Sequence, residues 1–153
     1  MTLYYLDSSA WVKRYLTETG SEWIRHLFER KDPFACCLLG YTEVSAALAR
    51  RQGVREIPED RQRILRRDIV ADWDAMLHVP VDGDLARRAA ALAWDYRLRG
   101  ADAVHLAAMQ WVRNALPSGP ESLTLISADN ELLAAAASCQ FAVLNPLEYG
   151  SKP

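Results

Sequence analysis

The 153-residue chain is half hydrophobic and a quarter charged, the composition of an ordinary globular domain with a sizeable core. A net charge of −2 excludes coating nucleic acid by bulk electrostatics but leaves room for a local grip on a short stretch of RNA. No apolar run approaches the roughly 20 residues that span a bilayer, and Asp7 comes too early, with no basic region before it, for a signal peptide. A cytoplasmic protein is therefore expected.

In chain order, Leu3–Leu6 is a short apolar strand. Ser8 or Ser9 can cap a following helix to about Leu16, because a serine oxygen accepts an orphan backbone N–H. Gly20 breaks the pattern, and Ser21 caps a second helix with Trp23, Ile24, Leu27 and Phe28 at helical spacing. Pro33 precedes a second strand, 34–39, which is apolar throughout as in a sheet interior, and Gly40 ends it. Tyr41 or Thr42 starts a helix carrying Glu43, Val44, Ala47 and Leu48 to near Gly53. Pro58 opens the next, to about Met76, with Ile64, Leu65, Ile69 and Trp73 as core candidates.

A weak third strand at 78–81 leads to an Asp82-Gly83 turn. Asp84 caps an alanine-rich helix to about Leu98, closed by Gly100. The segment 102–115 is apolar nearly all round, the mark of a central helix. A loop at 116–120, a strand at 123–127, a helix at 129–137 and a strand at 141–144 complete the order. Alternating strands and helices imply a mainly parallel sheet covered on both faces, in one domain over 1–148 with a short tail at 149–153. Cys36, Cys37 and Cys139 suit neither a disulfide framework nor a zinc spacing, so buried thiols are expected.

Four acids fall where strands give way to helices. Asp7 ends the first strand, Glu43 follows the second, Asp102 opens the central helix and Asp129 follows the run at 123–127. In an open parallel sheet such turns gather along the carboxyl edge, where these folds place their sites. Carboxylates crowded there repel one another unless a divalent cation sits among them, and Mg²⁺ and Mn²⁺ prefer oxygen ligands. Ions held this way serve phosphodiester hydrolysis by activating water and clamping the phosphate, with no need of a catalytic serine or histidine. No phosphate-binding glycine loop, G-x-S-x-G elbow or histidine pair at metal spacing competes.

Taken singly, each acid has a plainer role. Asp129 could be an N-cap and Asp7 a turn residue, while Asp102 and Glu43 could be first-turn charges worth about 0.3–1 kcal/mol. The joint arrangement argues against that, since Asp7 and Glu43 follow runs that should be buried.

The motifs resemble a known family. Leu6-Asp7-Ser8-Ser9-Ala10-Trp11-Val12-Lys13 resembles the opening of PIN-domain proteins. Thr42-Glu43-Val44 with Ala47-Leu48-Ala49-Arg50 is similar to their second acidic motif, and Asp102-Ala103-Val104-His105-Leu106-Ala107 to the third, the most specific. Ser127-Ala128-Asp129-Asn130-Glu131-Leu132 is similar to the fourth. The small size and the Lys13-Tyr15…Glu18…Gly20-Ser21 continuation resemble VapC toxins of VapBC toxin–antitoxin pairs. Just before Asp102 the chain departs, with Arg99-Gly100-Ala101 in place of bulkier residues, which alters the approach to the site.

The resemblance implies a three-layer α/β/α sandwich and a Mg²⁺- or Mn²⁺-dependent endoribonuclease acting on RNA. It also implies a homodimer and a cognate VapB-type antitoxin that blocks the site. Asp7, Glu43, Asp102 and Asp129 would be the metal-site acids, with Asp7 and Asp102 as direct ligands and the other two bound directly or through water. Ser9 and Ser127 would orient carboxylates. A processing nuclease without an antitoxin and a catalytically silent binding module are the alternatives.

Several other side chains have two readings. His105, one turn after Asp102, suits a supporting or core position better than a general base. Trp11 and Tyr15 could pack or stack an RNA base, and Lys13 and Arg14 could meet phosphate or solvent. The Trp23–Phe28 stripe could be core or, in part, a groove for an antitoxin helix. Trp73, Trp94 and Trp111 read as packing. The arginines at 50, 51, 55, 61, 63, 66 and 67, diluted by acids, read as a solvated, ion-paired surface.

Overall fold

Leu3–Leu6 forms β1, the central strand of a five-stranded sheet, in a computed structural model that describes residues 2–52, 57–116 and 122–150. The expected helix end near Gly53 and most of the 116–120 loop lie outside those residues. The other strands are β2 (Phe34–Cys37), β3 (Leu77–Val79), β4 (Leu123–Ile126) and β5 (Ala142–Leu144), in spatial order β3-β2-β1-β4-β5. Every pairing is parallel. Tyr5 lies beside Ala35 on one flank and Leu125 on the other.

Side-chain alternation along these strands builds two cores, one on each face. Tyr5, Ala35, Cys37, Leu123 and Leu125 pack with residues of α5 (Gly83–Tyr96), α6 (Gly100–Ala115) and α7 (Asn130–Ser138). Leu6, Phe34, Cys36 and Ile126 pack with α1 (Ser8–Trp11), α2 (Ser21–Glu29), α3 (Leu38–Gln52) and α4 (Glu59–Asp74). The result is the expected α/β/α sandwich. Among the described residues no helix is long and apolar enough to cross a membrane.

The local differences from the sequence reading have physical causes. The first helix is capped by Asp7 itself, whose carboxylate accepts from Ala10 N–H, and it ends at Trp11 in a 3-10 turn, Val12–Arg14. β2 stops at Cys37 and α3 starts directly at Leu38, so Gly40 lies inside a helix and ends no strand. A Cβ at Gly40 would clash with Cys36 Sγ and reach 3.3 Å from His105 Cε1, so glycine is there for close approach.

Asp82, not Asp84, caps α5, accepting from the N–H groups of Asp84 and Leu85. That helix ends at Tyr96 with Arg97 in the left-handed region (φ 54°), and Gly100 opens α6 instead of closing α5. Trp73 is buried as expected, but Trp94 is 87% exposed, and Trp111 and Ile64 are also exposed. Cys36 and Cys37 are buried free thiols and Cys139 is half-buried. Trp23 stacks on Tyr149, a residue of the expected tail, with centroids 4.4 Å apart, while Ile24 and Leu27 of the same stripe are core.

Candidate active site

Asp7 leaves the carboxyl end of the central strand and is almost wholly buried. Ser9 Oγ lies 2.8 Å from both of its carboxylate oxygens. Ser127 Oγ donates to Asp7 Oδ2 at 2.7 Å, and Ala10 N–H donates to Oδ1 at 3.0 Å. Burial pushes the Asp7 pKa upward, against the opposing pull of His105 and of these donors. The two serines are themselves fixed: Ser9 accepts from Ala128 N–H at 2.9 Å and Ser127 from Asp129 N–H at 3.0 Å. The first and fourth motifs are thus joined where β1 and β4 end side by side.

Asp102 and Asp129 are joined through a residue that the sequence reading noted only as a departure. Arg99 precedes the first turn of α6, and its Nε donates to Asp102 Oδ2 at 3.2 Å. Its Nη2 donates to Asp129 Oδ2 at 2.7 Å. Asp129 Oδ1 meanwhile caps α7, accepting from Glu131 and Leu132 N–H, so the cap reading of this acid holds for one oxygen. Burial and the nearby Asp129 charge raise the Asp102 pKa, and Arg99 opposes both. An arginine three residues before a helical aspartate is a signal that sequence alone offers, since such pairs share a helix face.

Glu43 sits in α3 and meets α6 through His105, whose Nε2 lies 2.7 Å from Glu43 Oε1. The other ring nitrogen lies 3.0 Å from the Tyr5 hydroxyl. Burial disfavours charge on His105, yet its bonds to Cys37 and Glu43 prevail and hold its pKa well above the usual histidine range. His105 is buried and has no opening to a reacting group, which places it behind the acids. The Cβ-free face of Gly40 lets it stand there.

Ser127 and Arg99 thus link Asp7, Asp129 and Asp102 in one hydrogen-bonded chain, while Glu43 bonds to His105, one turn after Asp102 on α6. All the donors on offer are hard carboxylate oxygens, the chemistry that Mg²⁺ and Mn²⁺ favour. Among the described residues, however, no group of three His, Cys, Asp or Glu side chains stands arranged to hold a metal ion. In this arrangement Arg99 takes Oδ2 of Asp102 and Oδ2 of Asp129.

The residues after the first motif are tied inward. Lys13 is buried and its Nζ donates to Glu18 at 2.8 Å, so it is neither solvated nor open to phosphate. Arg14 pairs with Asp72 and lies over the Phe28 ring. The Tyr15 hydroxyl donates to Asp72 at 2.6 Å and accepts from Trp11 Nε1–H at 3.1 Å. Trp11 stacks on Trp73, so packing is its role. On the arginine-rich surface, Arg51, Arg63 and Arg67 form ion pairs with Glu18, Asp60 and Asp68.

The fold is a three-layer α/β/α sandwich, with Asp7 at the carboxyl end of its central strand hydrogen-bonded to Ser9 and Ser127. Residues 4–137 match the family described as PIN domain. Over 144 residues the chain is 37% identical to Ribonuclease VapC45 and Ribonuclease VapC49, both of Mycobacterium tuberculosis, covering 93% of this chain and 96% of theirs. The chain belongs to the PIN-domain family, in its VapC branch.

Solved structures agree at the level of fold. A chain of a toxin–antitoxin complex from Klebsiella pneumoniae superposes with a TM-score of 0.62 at 19% identity, covering 95% of this chain and 98% of that one. FitAcB from Neisseria gonorrhoeae gives 0.61 at 17% identity, covering 94% and 97%.

Proposed function

We propose that this protein is the toxin of a type II toxin–antitoxin pair, an endoribonuclease that cuts RNA phosphodiester bonds with Mg²⁺ or Mn²⁺. What supports this reading is the chain of hydrogen bonds through Ser127 and Arg99 that links Asp7, Asp129 and Asp102, with Glu43 bonded to His105 on the same helix as Asp102. The ribonuclease names of the relatives at 37% identity support the reaction. The toxin–antitoxin complex among the structural neighbours supports a VapB-type antitoxin as partner; a homodimer is what the resemblance to VapC toxins implies.

In this reading Asp7 and Asp102 are direct metal ligands, while Glu43 and Asp129 bind directly or through water. A bound divalent ion supplies Lewis acidity, activating water and offsetting the charge that builds on the phosphate. The protein's part is to hold oxygens in place. Ser9 and Ser127 fix both oxygens of Asp7, so its orientation is set before any ion arrives. His105 fixes one oxygen of Glu43.

The test is incubation of purified protein with a panel of structured RNAs and Mn²⁺ or Mg²⁺, alongside EDTA and Asp102→Asn lanes. Discrete cuts that vanish in both controls are expected. Cuts that persist in EDTA, or in Asp102→Asn protein of native fold, would remove the metal-centred reading.

A further inference from the structure

Arg99 is the one cation that bonds to two of the four acids among the described residues. Its side chain is 74% exposed and arches over the first turn of α6, taking Oδ2 of Asp102 and Oδ2 of Asp129. The inner oxygen of Asp129 is already committed to two backbone N–H groups. Arg99 therefore occupies the one oxygen of Asp129 that those groups leave, together with Oδ2 of Asp102. Two adjacent carboxylates without such a partner would repel each other, and Arg99 relieves that repulsion.

We infer that Arg99 is a built-in counter-cation that holds Asp102 and Asp129 in the metal-free protein and must release both for a divalent ion to bind, so that it sets the metal affinity of the site. The inference rests on the proposed metal-centred reading. Its energetics are favourable for exchange. Ion pairs made by an exposed arginine contribute weakly, so they steady the acids without locking them. A compact divalent ion concentrates twice the charge at the same oxygens, whereas the guanidinium spreads one charge over a planar fork. The arginine is a placeholder matched in position and outmatched in strength.

The experiment compares Mn²⁺ binding by chelator-treated wild type, Arg99→Gln and Arg97→Gln, using the electron-spin resonance signal of free Mn²⁺, with a melting curve for each metal-free protein. Arg97 carries the same charge two residues away and forms no ion pair with either acid. Arg99→Gln should bind Mn²⁺ roughly tenfold more tightly, the effect of losing two such pairs, and should melt lower than wild type without metal. Arg97→Gln should change affinity much less. Wild type that binds Mn²⁺, with Arg99→Gln no tighter or Arg97→Gln equally tightened, would overturn the inference and leave the metal site standing. No Mn²⁺ bound by wild type or by Arg99→Gln would overturn the metal site and the inference with it.

Discussion

Ser127 and Asp7 meet through a 2.7 Å hydrogen bond that spans 120 positions of sequence. The serine hydroxyl donates to a buried carboxylate and accepts from the Asp129 N–H, so one oxygen atom positions two of the four acids. Ser127→Ala should cost about 1.5–3 kcal/mol, the range for a hydrogen bond to a charged group. Urea unfolding of the metal-free protein measures it. A loss below about 0.5 kcal/mol, the level of an ordinary surface change, would mean that Asp7 does not depend on this donor.

Glu18 and Lys13 give a pH signature away from the site. Burial pushes the Glu18 pKa upward, but its bonds from Lys13 and Arg51 prevail and hold it below its ordinary value of 4.5. A depressed folded-state value means that ionised Glu18 favours the fold above that ordinary value, and that this contribution is lost as pH falls through the lower one. Glu18→Gln strands the buried Lys13 ammonium and should cost about 1–3 kcal/mol at pH 7. Urea melts should show the gap between variant and wild type closing as pH drops below 4.5. A gap independent of pH would refute the assignment.

Gly40 is a test of close packing between α3 and α6. In an open helix, alanine in place of glycine gains about 1 kcal/mol. Here the added Cβ would run into Cys36 Sγ and press on His105, and overpacking of a core costs about 1–3 kcal/mol. Gly40→Ala should therefore lower the melting temperature, and adding Cys36→Ala should recover part of the loss relative to Cys36→Ala alone. A Gly40→Ala protein more stable than wild type would show that the helix, not the neighbours, decides at this position.

Divalent metal should raise thermal stability, because an ion that binds only the assembled site shifts the folding equilibrium. At a free concentration about a hundredfold above its dissociation constant the gain is about 2.7 kcal/mol, or roughly 2–4 °C per kcal/mol for a chain of this size. Differential scanning calorimetry of chelated protein with and without Mn²⁺ reads it directly. The shift should shrink in Asp7→Asn. An equal shift in that variant would point to binding elsewhere.

The strands and the acids were legible in the sequence because short apolar runs and carboxylates at their ends leave strong local signals. β1 matches the sequence expectation residue for residue, and Asp7, Asp102 and Asp129 share one hydrogen-bonded chain through Ser127 and Arg99. What the sequence hid were contacts that depend on distance in space. Gly40 reads as a strand terminator until Cys36 and His105 are seen against it. Trp94 carries an apolar side chain and yet faces solvent, since one aromatic on an alanine-rich helix does not reveal which side it takes. The spacing of Arg99 and Asp102 is visible in the sequence, but the second bond of Arg99 emerges only once Asp129, thirty residues on, is found beside it.

The central position of β1 also governs timing during synthesis. Its two neighbours arrive far apart: β2 within the first forty residues, β4 only after residue 122. A ribosome must deliver most of the chain before the second flank of β1 can close and bring Ser127 and Asp129 to Asp7. Loop closure over that span is slow relative to local helix formation. Translation stopped just short of residue 127 thus releases fragments that carry Asp7, Glu43 and Asp102 but lack Ser127 and Asp129.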